Sequence, residues 1–124
     1  MGAGEIFDLA GDFGRAAGQI GAALFGTFAE EGDAFADDWR ANAEATSGEH
    51  GVHYPGTITA EPKLSTGIRV EVGPESGMPQ GGMGPGFEFG SQNQPPHLDG
   101  IRAMPAAEAR LESSAAKTIE GLLP

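Results

Sequence analysis

Cysteine is absent from the 124 residues, which excludes disulfide staples, thiolate metal sites and sulfur redox chemistry. Basic charge is scarce. Lys and Arg number 7 against 18 Asp and Glu, a net charge of -11, so the attraction that non-specific nucleic-acid binding depends on is missing. Leu, Ile, Val and Phe make up only 23 residues, a range in which a chain has too little apolar surface to order itself alone. The longest stretch without a charge is the 14 residues 16–29, short of the roughly 20 that a membrane span needs. Glu5, Asp8 and Asp12 stand where a secretory signal carries positive charge, so a soluble intracellular product is expected. What is abundant is glycine, 21 residues, alongside 9 prolines. Together these features predict one small domain whose apolar stripes are completed by copies of itself or by partners.

Large apolar residues from Ile6 to about Ala45 fall at Ile6, Leu9, Phe13, Ile20, Leu24, Phe28, Phe35 and Trp39, in helical steps of three, four or seven. Charges lie mostly off that stripe, so an amphipathic helix over residues 1–45 is predicted. Six glycines interrupt it between Gly11 and Gly32, each costing about 1 kcal/mol relative to Ala, and the alternative to one helix is two ordinary helices with a break near Glu31-Gly32-Asp33. Gly14, Gly18 and Gly21 form a small-residue face suited to close helix approach. Residues 46–97 change character. Thr57–Glu61 and Gly67–Gly73 predict an antiparallel hairpin joined by Pro62–Thr66, with Ile68, Val70 and Val72 on one face and Arg69 and Glu71 on the other. Gly73–Pro96 holds seven Gly and five Pro, a composition for a long loop. Within it Phe87-Glu88-Phe89 alternates like a third strand. Residues 98–124 close the chain with a helix from Pro105 to Leu122, carrying Leu111, Ala115 and Ile119 at helical spacing. The fold class is thus α+β, with a small sheet of three or more strands whose apolar face both helices cover.

No constellation predicts catalysis. His50 and His53 lie in a glycine-containing segment without further ligands nearby, so a metal site is not expected. Glu61, Glu71, Glu75 and Glu88 read as a solvated sheet face rather than an acid–base pair. Gly81-Gly82-Met83-Gly84 carries no phosphate-loop lysine. Met78 and Met83 are apolar handles in the long loop. With Phe28, Phe35 and Trp39 they are the candidates for a subunit interface.

From Val72-Gly73, through Glu88-Phe89-Gly90, to Pro95-Pro96, Leu98 and the closing helix, the chain resembles the tail-completion, or neck, proteins of lambda-like long-tailed bacteriophages. His97 and Gly100 depart from the family pattern, which favours Phe and Pro there. The resemblance covers most of the chain and implies a virion structural protein at the head-to-tail junction. It implies a homo-oligomeric ring of six copies, assembled in the host cytoplasm, that joins the tail to the head connector or stopper and to the tail terminator or tube. Genome DNA would pass through the lumen without specific binding, and no enzyme activity, cofactor or membrane is implied. A tail terminator capping the tube, or a minor tail component, is the alternative. A secreted helical hairpin would need a Trp-x-Gly turn, where Trp39-Arg40-Ala41 stands. A membrane-surface helix would need more than the two basic residues present among residues 1–45.

Overall fold

The computed structural model describes residues 3–123, with side chains from residue 17 onward. Ile6, Leu9, Phe13 and Gly14 therefore lie outside the described side chains. The helical period is realised as one α-helix, α1, Ala3–Thr46, of 44 residues, about 66 Å long at 1.5 Å per residue. It does not break at Glu31-Gly32-Asp33. Gly32 is buried, and Val70 Cγ2 occupies the space that a side chain there would need. The glycine is thus the point at which the hairpin crosses the helix.

Strands β1, Ile58–Leu64, and β2, Ile68–Pro74, pair antiparallel, from Ile58 opposite Pro74 to Leu64 opposite Ile68. The alternation of β2 is as expected: Arg69 and Glu71 are exposed, while Ile68, Val70 and Val72 are half-buried. The connection is shorter than expected, only Ser65-Thr66-Gly67, because Pro62, Lys63 and Leu64 continue β1. Both strands of a two-stranded sheet are edges, and an edge tolerates the missing N–H of Pro62.

Phe87-Glu88-Phe89 is not a strand. It forms the end of a short helix, α2, Gly84–Phe89, and the sheet among the described residues has two strands. Packing decides this conformation: Gly84 seats against Pro74, Pro85 favours a first helical turn, and Phe87 stacks on Tyr54 with ring centroids 4.4 Å apart. In a helix the two rings diverge, leaving Phe87 2% and Phe89 65% exposed. Nor is Gly73–Pro96 without structure. A 3-10 turn, Gly81–Met83, leads into α2. The Gln80 side chain fastens this region to the preceding turn, accepting from the His53 N–H at 2.8 Å and donating to the His50 carbonyl at 2.7 Å.

The closing helix α3, Asp99–Leu122, starts six residues before Pro105, which lies exposed inside it. Having no N–H, Pro105 leaves the Ile101 carbonyl without its helical donor. Helix α3 runs antiparallel along α1, tied by Thr27 to Thr118 at 2.7 Å, Ser114 to Glu31 at 2.7 Å and Arg110 to Asp38 at 2.9 Å. The expectation that both helices cover the sheet is corrected. Helix α1 alone lies on the hairpin, and α3 makes its long interface with α1. A two-stranded ribbon is only about 5 Å between strands, too narrow a platform for two helices side by side. The core is small: Ala36, Ala43, Tyr54, Ile58 and Phe87, with Trp39, Ala60 and Val72 packed against them. All of it sits at the C-terminal end of α1, and no residue from Ala17 to Glu31 is buried.

Candidate functional site

The start of α3 has no capping side chain of its own, and Leu98 before it adopts a left-handed conformation, φ 54° and ψ 36°. Its unsatisfied donors are met from α2. The Gly100 N–H donates to Glu88 Oε1 at 3.0 Å and the Ile101 N–H to Oε2 at 2.9 Å. Glu88 is 5% exposed, so its carboxylate is held by two charge-assisted bonds and by the positive end of the α3 dipole. The exchange is reciprocal: the His97 and Leu98 N–H groups donate to the Phe87 and Glu88 carbonyls at 2.9 and 3.0 Å, satisfying acceptors at the end of α2.

Gly90 makes the return possible. Its φ of 88° is rarely adopted with a side chain, and a Cβ would sit 3.0 Å from both Pro96 Cδ and Pro96 N. Ser91 and Gln94 exchange backbone bonds across the turn, and Gln94 Nε2 donates to the Gly86 carbonyl at 2.9 Å. Glu88, Phe89, Gly90, Pro95, Pro96 and Leu98 thus belong to one α2–turn–α3 unit. Glu88, Gly90 and Leu98 hold it together, while Phe89, Pro95 and Pro96 are exposed.

A buried polar junction joins this unit to the end of α1. Asp99 is fully buried and accepts from Thr46 Oγ1 at 2.9 and 3.0 Å and from Arg102 Nη2 at 2.8 Å, while its carbonyl accepts from Asn42 Nδ2 at 2.9 Å. His97 Nδ1 lies 4.0 Å from Asp99 Oδ2. Tyr54 is fully buried beside it, and its hydroxyl has no hydrogen-bond partner of good geometry among the described residues. Burial pushes the Tyr54 pKa above its usual 10.0. The Trp39 indole N–H opposes this, and the negative charges of Glu88 and Asp99 reinforce it. None of Thr46, Asn42, Tyr54 or Asp99 was a sequence candidate, although an acid in the first turn of a helix is a recognisable start signal that Asp99 supplies.

Because α3 lies beside α1 instead of on the sheet, an apolar groove of about 550 Å³ opens between them, bounded also by β2 and α2. Phe35 and Trp39 of α1 and Val70 and Val72 of β2 form one side, and Phe89, Ile101 and Met104 form the other. The last three are 65%, 43% and 42% exposed. Trp39 packs across Gly100, where a Cβ would come within 2.7 Å of the indole, and its ring edge faces Gly73. Phe35 stacks on Trp39 at 5.9 Å. Two of the interface candidates, Phe35 and Trp39, therefore stand in this chain's own packing and in the groove wall. Phe28 is half-buried on α1, and Met78 and Met83 are exposed.

Of the remaining acids, Glu61, Glu71 and Glu75 are exposed and border one shallow hollow on the hairpin, open to solvent. Glu61 and Glu71 face each other across the hairpin. Lys63 lies 2.9 Å from Glu71, and its hydrogen bond and charge lower the Glu71 pKa and raise its own. Glu88 is in the α2–α3 unit, away from them. Among the described residues no three His, Asp or Glu side chains gather as a metal-ligand set, and no helix is long and apolar enough to cross a membrane. Comparison with protein-family models, curated proteins and solved structures returns no match.

Proposed function

We propose that the chain is a structural subunit of the head-to-tail junction of a long-tailed bacteriophage, acting as a ring of like copies around the passing genome and without enzyme activity. One observation carries the reading. Extending the Thr27–Thr118 and Glu31–Ser114 pairing brings the end of α3, Leu122, level with about Ala23 of α1. The helix continues another 20 residues, Ala3 to Ala22, about 30 Å beyond the reach of α3. A glycine-interrupted amphipathic helix of that kind gains most from sister helices.

The resemblance in the motif supports the same reading, since Glu88, Gly90 and Leu98 each have a defined part in one compact unit. A sheet of three or more strands would then form only in the ring, by neighbouring hairpins pairing through their open edges. The acidic net charge suits a lumen through which DNA slides without sticking. Neighbours in the particle would be the connector or stopper on one side and the terminator or tube on the other. A tail terminator would use the same ring.

The test is electron microscopy of the recombinant chain and of phage particles carrying it. Annular oligomers, with a ring of this chain between portal and tail, are expected. A monodisperse monomer at every concentration tried would falsify the ring. Trp39→Ala does not serve as the probe, because its ring supports the chain's own α1–α3 contact at Gly100.

A further inference from the structure

The geometry points to the groove between α1, β2, α2 and α3 as a docking seat for a basic amphipathic helical segment of another protein, distinct from the contacts between like copies. Its walls are apolar, and its volume of about 550 Å³ lies within the range of built ligand sites. From Ile101 to Leu111 the α3 wall is eleven residues, about 15 Å from first to last, enough for anchors at i, i+4 and i+7 of a short helix.

Charge decides the occupant. Glu31 and Glu108 stand at the groove. Glu31 is partly engaged by Ser114 and, at 3.7 Å, by Arg110, while Glu108 has no ion-pair partner among the described residues. A second copy offers few free cations among its described side chains, Arg15 lying outside them. Among the described side chains Arg40, Lys63, Arg69, Arg102 and Arg110 are already in ion pairs within the chain, leaving Lys117 as the unpaired cation. A partner with its own Lys or Arg beside two or three large apolar side chains fits both the walls and the rim.

The sole tryptophan lines this groove, so the chain reports its own occupancy. The probe is a tryptophan-free peptide of about 14 residues, four helical turns, with leucines on one face and lysines on the other. A matched peptide carries glutamates in place of the lysines. Titration of the full chain should shift Trp39 emission to shorter wavelength with the lysine peptide, and at least about tenfold more weakly with the glutamate peptide. The double variant Ile101→Glu and Met104→Glu changes exposed side chains, the first of them in the opening turn of α3, where an added acid is tolerated. It raises the negative charge yet should weaken the lysine peptide at least about tenfold, which separates groove binding from diffuse attraction to an acidic protein. Equal binding by the two peptides, no binding up to about 1 mM, or unchanged binding by the double variant overturns the proposal. So does loss of self-association in that variant without any peptide binding, which would assign the groove to a second copy. The proposal is independent of the ring: a monomer that binds the peptide removes the ring and keeps the seat, and rings that ignore the peptide do the reverse.

Discussion

From Gly32 to Thr46, α1 meets the hairpin, the Tyr54 turn and the start of α3, and Ala36 and Ala43 are fully buried. From Ala17 to Glu31 the same helix has no buried residue, and Gly18, Gly21 and Gly26 face open space. The apolar period runs through both stretches alike. The difference shows that periodicity identifies a face able to be buried, while the rest of the chain decides how much of it is buried. The C-terminal part is held by packing and by two buried carboxylates. The preceding part has α3 along one side, and only as far as about Ala23, and pays about 1 kcal/mol for each glycine.

The sharpest break of that comparison is Glu88→Ala. It strips the start of α3 of its acceptors and should cost about 2–3 kcal/mol, lowering the melting midpoint of the chain by about 10 °C or more. Glu88→Gln, which keeps one acceptor, should lose less. Gly100→Ala drives a methyl into the Trp39 ring and should cost about 1–3 kcal/mol in urea unfolding. Gly90→Ala, forced into a positive φ, should cost about 1–2 kcal/mol by the same measurement. In the open stretch the sign reverses. Gly18→Ala with Gly21→Ala should raise helicity and stabilise the isolated chain by up to about 1 kcal/mol each. If that face meets sister helices, the same pair of substitutions should reduce ring yield in sizing experiments.

Tyr54→Phe is expected to be the mildest. Its hydroxyl lacks a partner, so removal should change stability by less than about 1 kcal/mol. It should also alter the alkaline limb. Because the folded-state pKa of Tyr54 is raised, its contribution is complete below pH 10.0 and is lost as pH rises toward the folded value. Melting in steps from pH 9 upward should show a decline in the wild type that Tyr54→Phe lessens.

Long α1, the β2 alternation and a closing helix were legible because each rests on a local period. Three of the departures from the sequence pattern share a physical origin in contacts between residues distant in sequence or between neighbouring elements. Phe87-Glu88-Phe89 alternates like a strand, but Tyr54, 33 residues earlier, stacks on Phe87 and helps fix it as helix. Pro105 reads as the local start signal for α3, because its actual cap, Glu88, lies on another element. An apolar sheet face calls for both helices, but α1 alone fills the hairpin's narrow face, and the resulting groove has no signature in the sequence. Of the motif residues, Gly90 and Glu88 have structural work that their order in the chain did not disclose.

Amide hydrogen exchange along α1, followed in dilute solution and again at concentrations where the chain self-associates, tests the central claim most directly. The account predicts that amides of residues 17–31 exchange at least about tenfold faster than those of 32–46 in the dilute monomer, and that association slows the first group selectively. Uniform protection along α1 in a dilute, cooperatively melting monomer would contradict it.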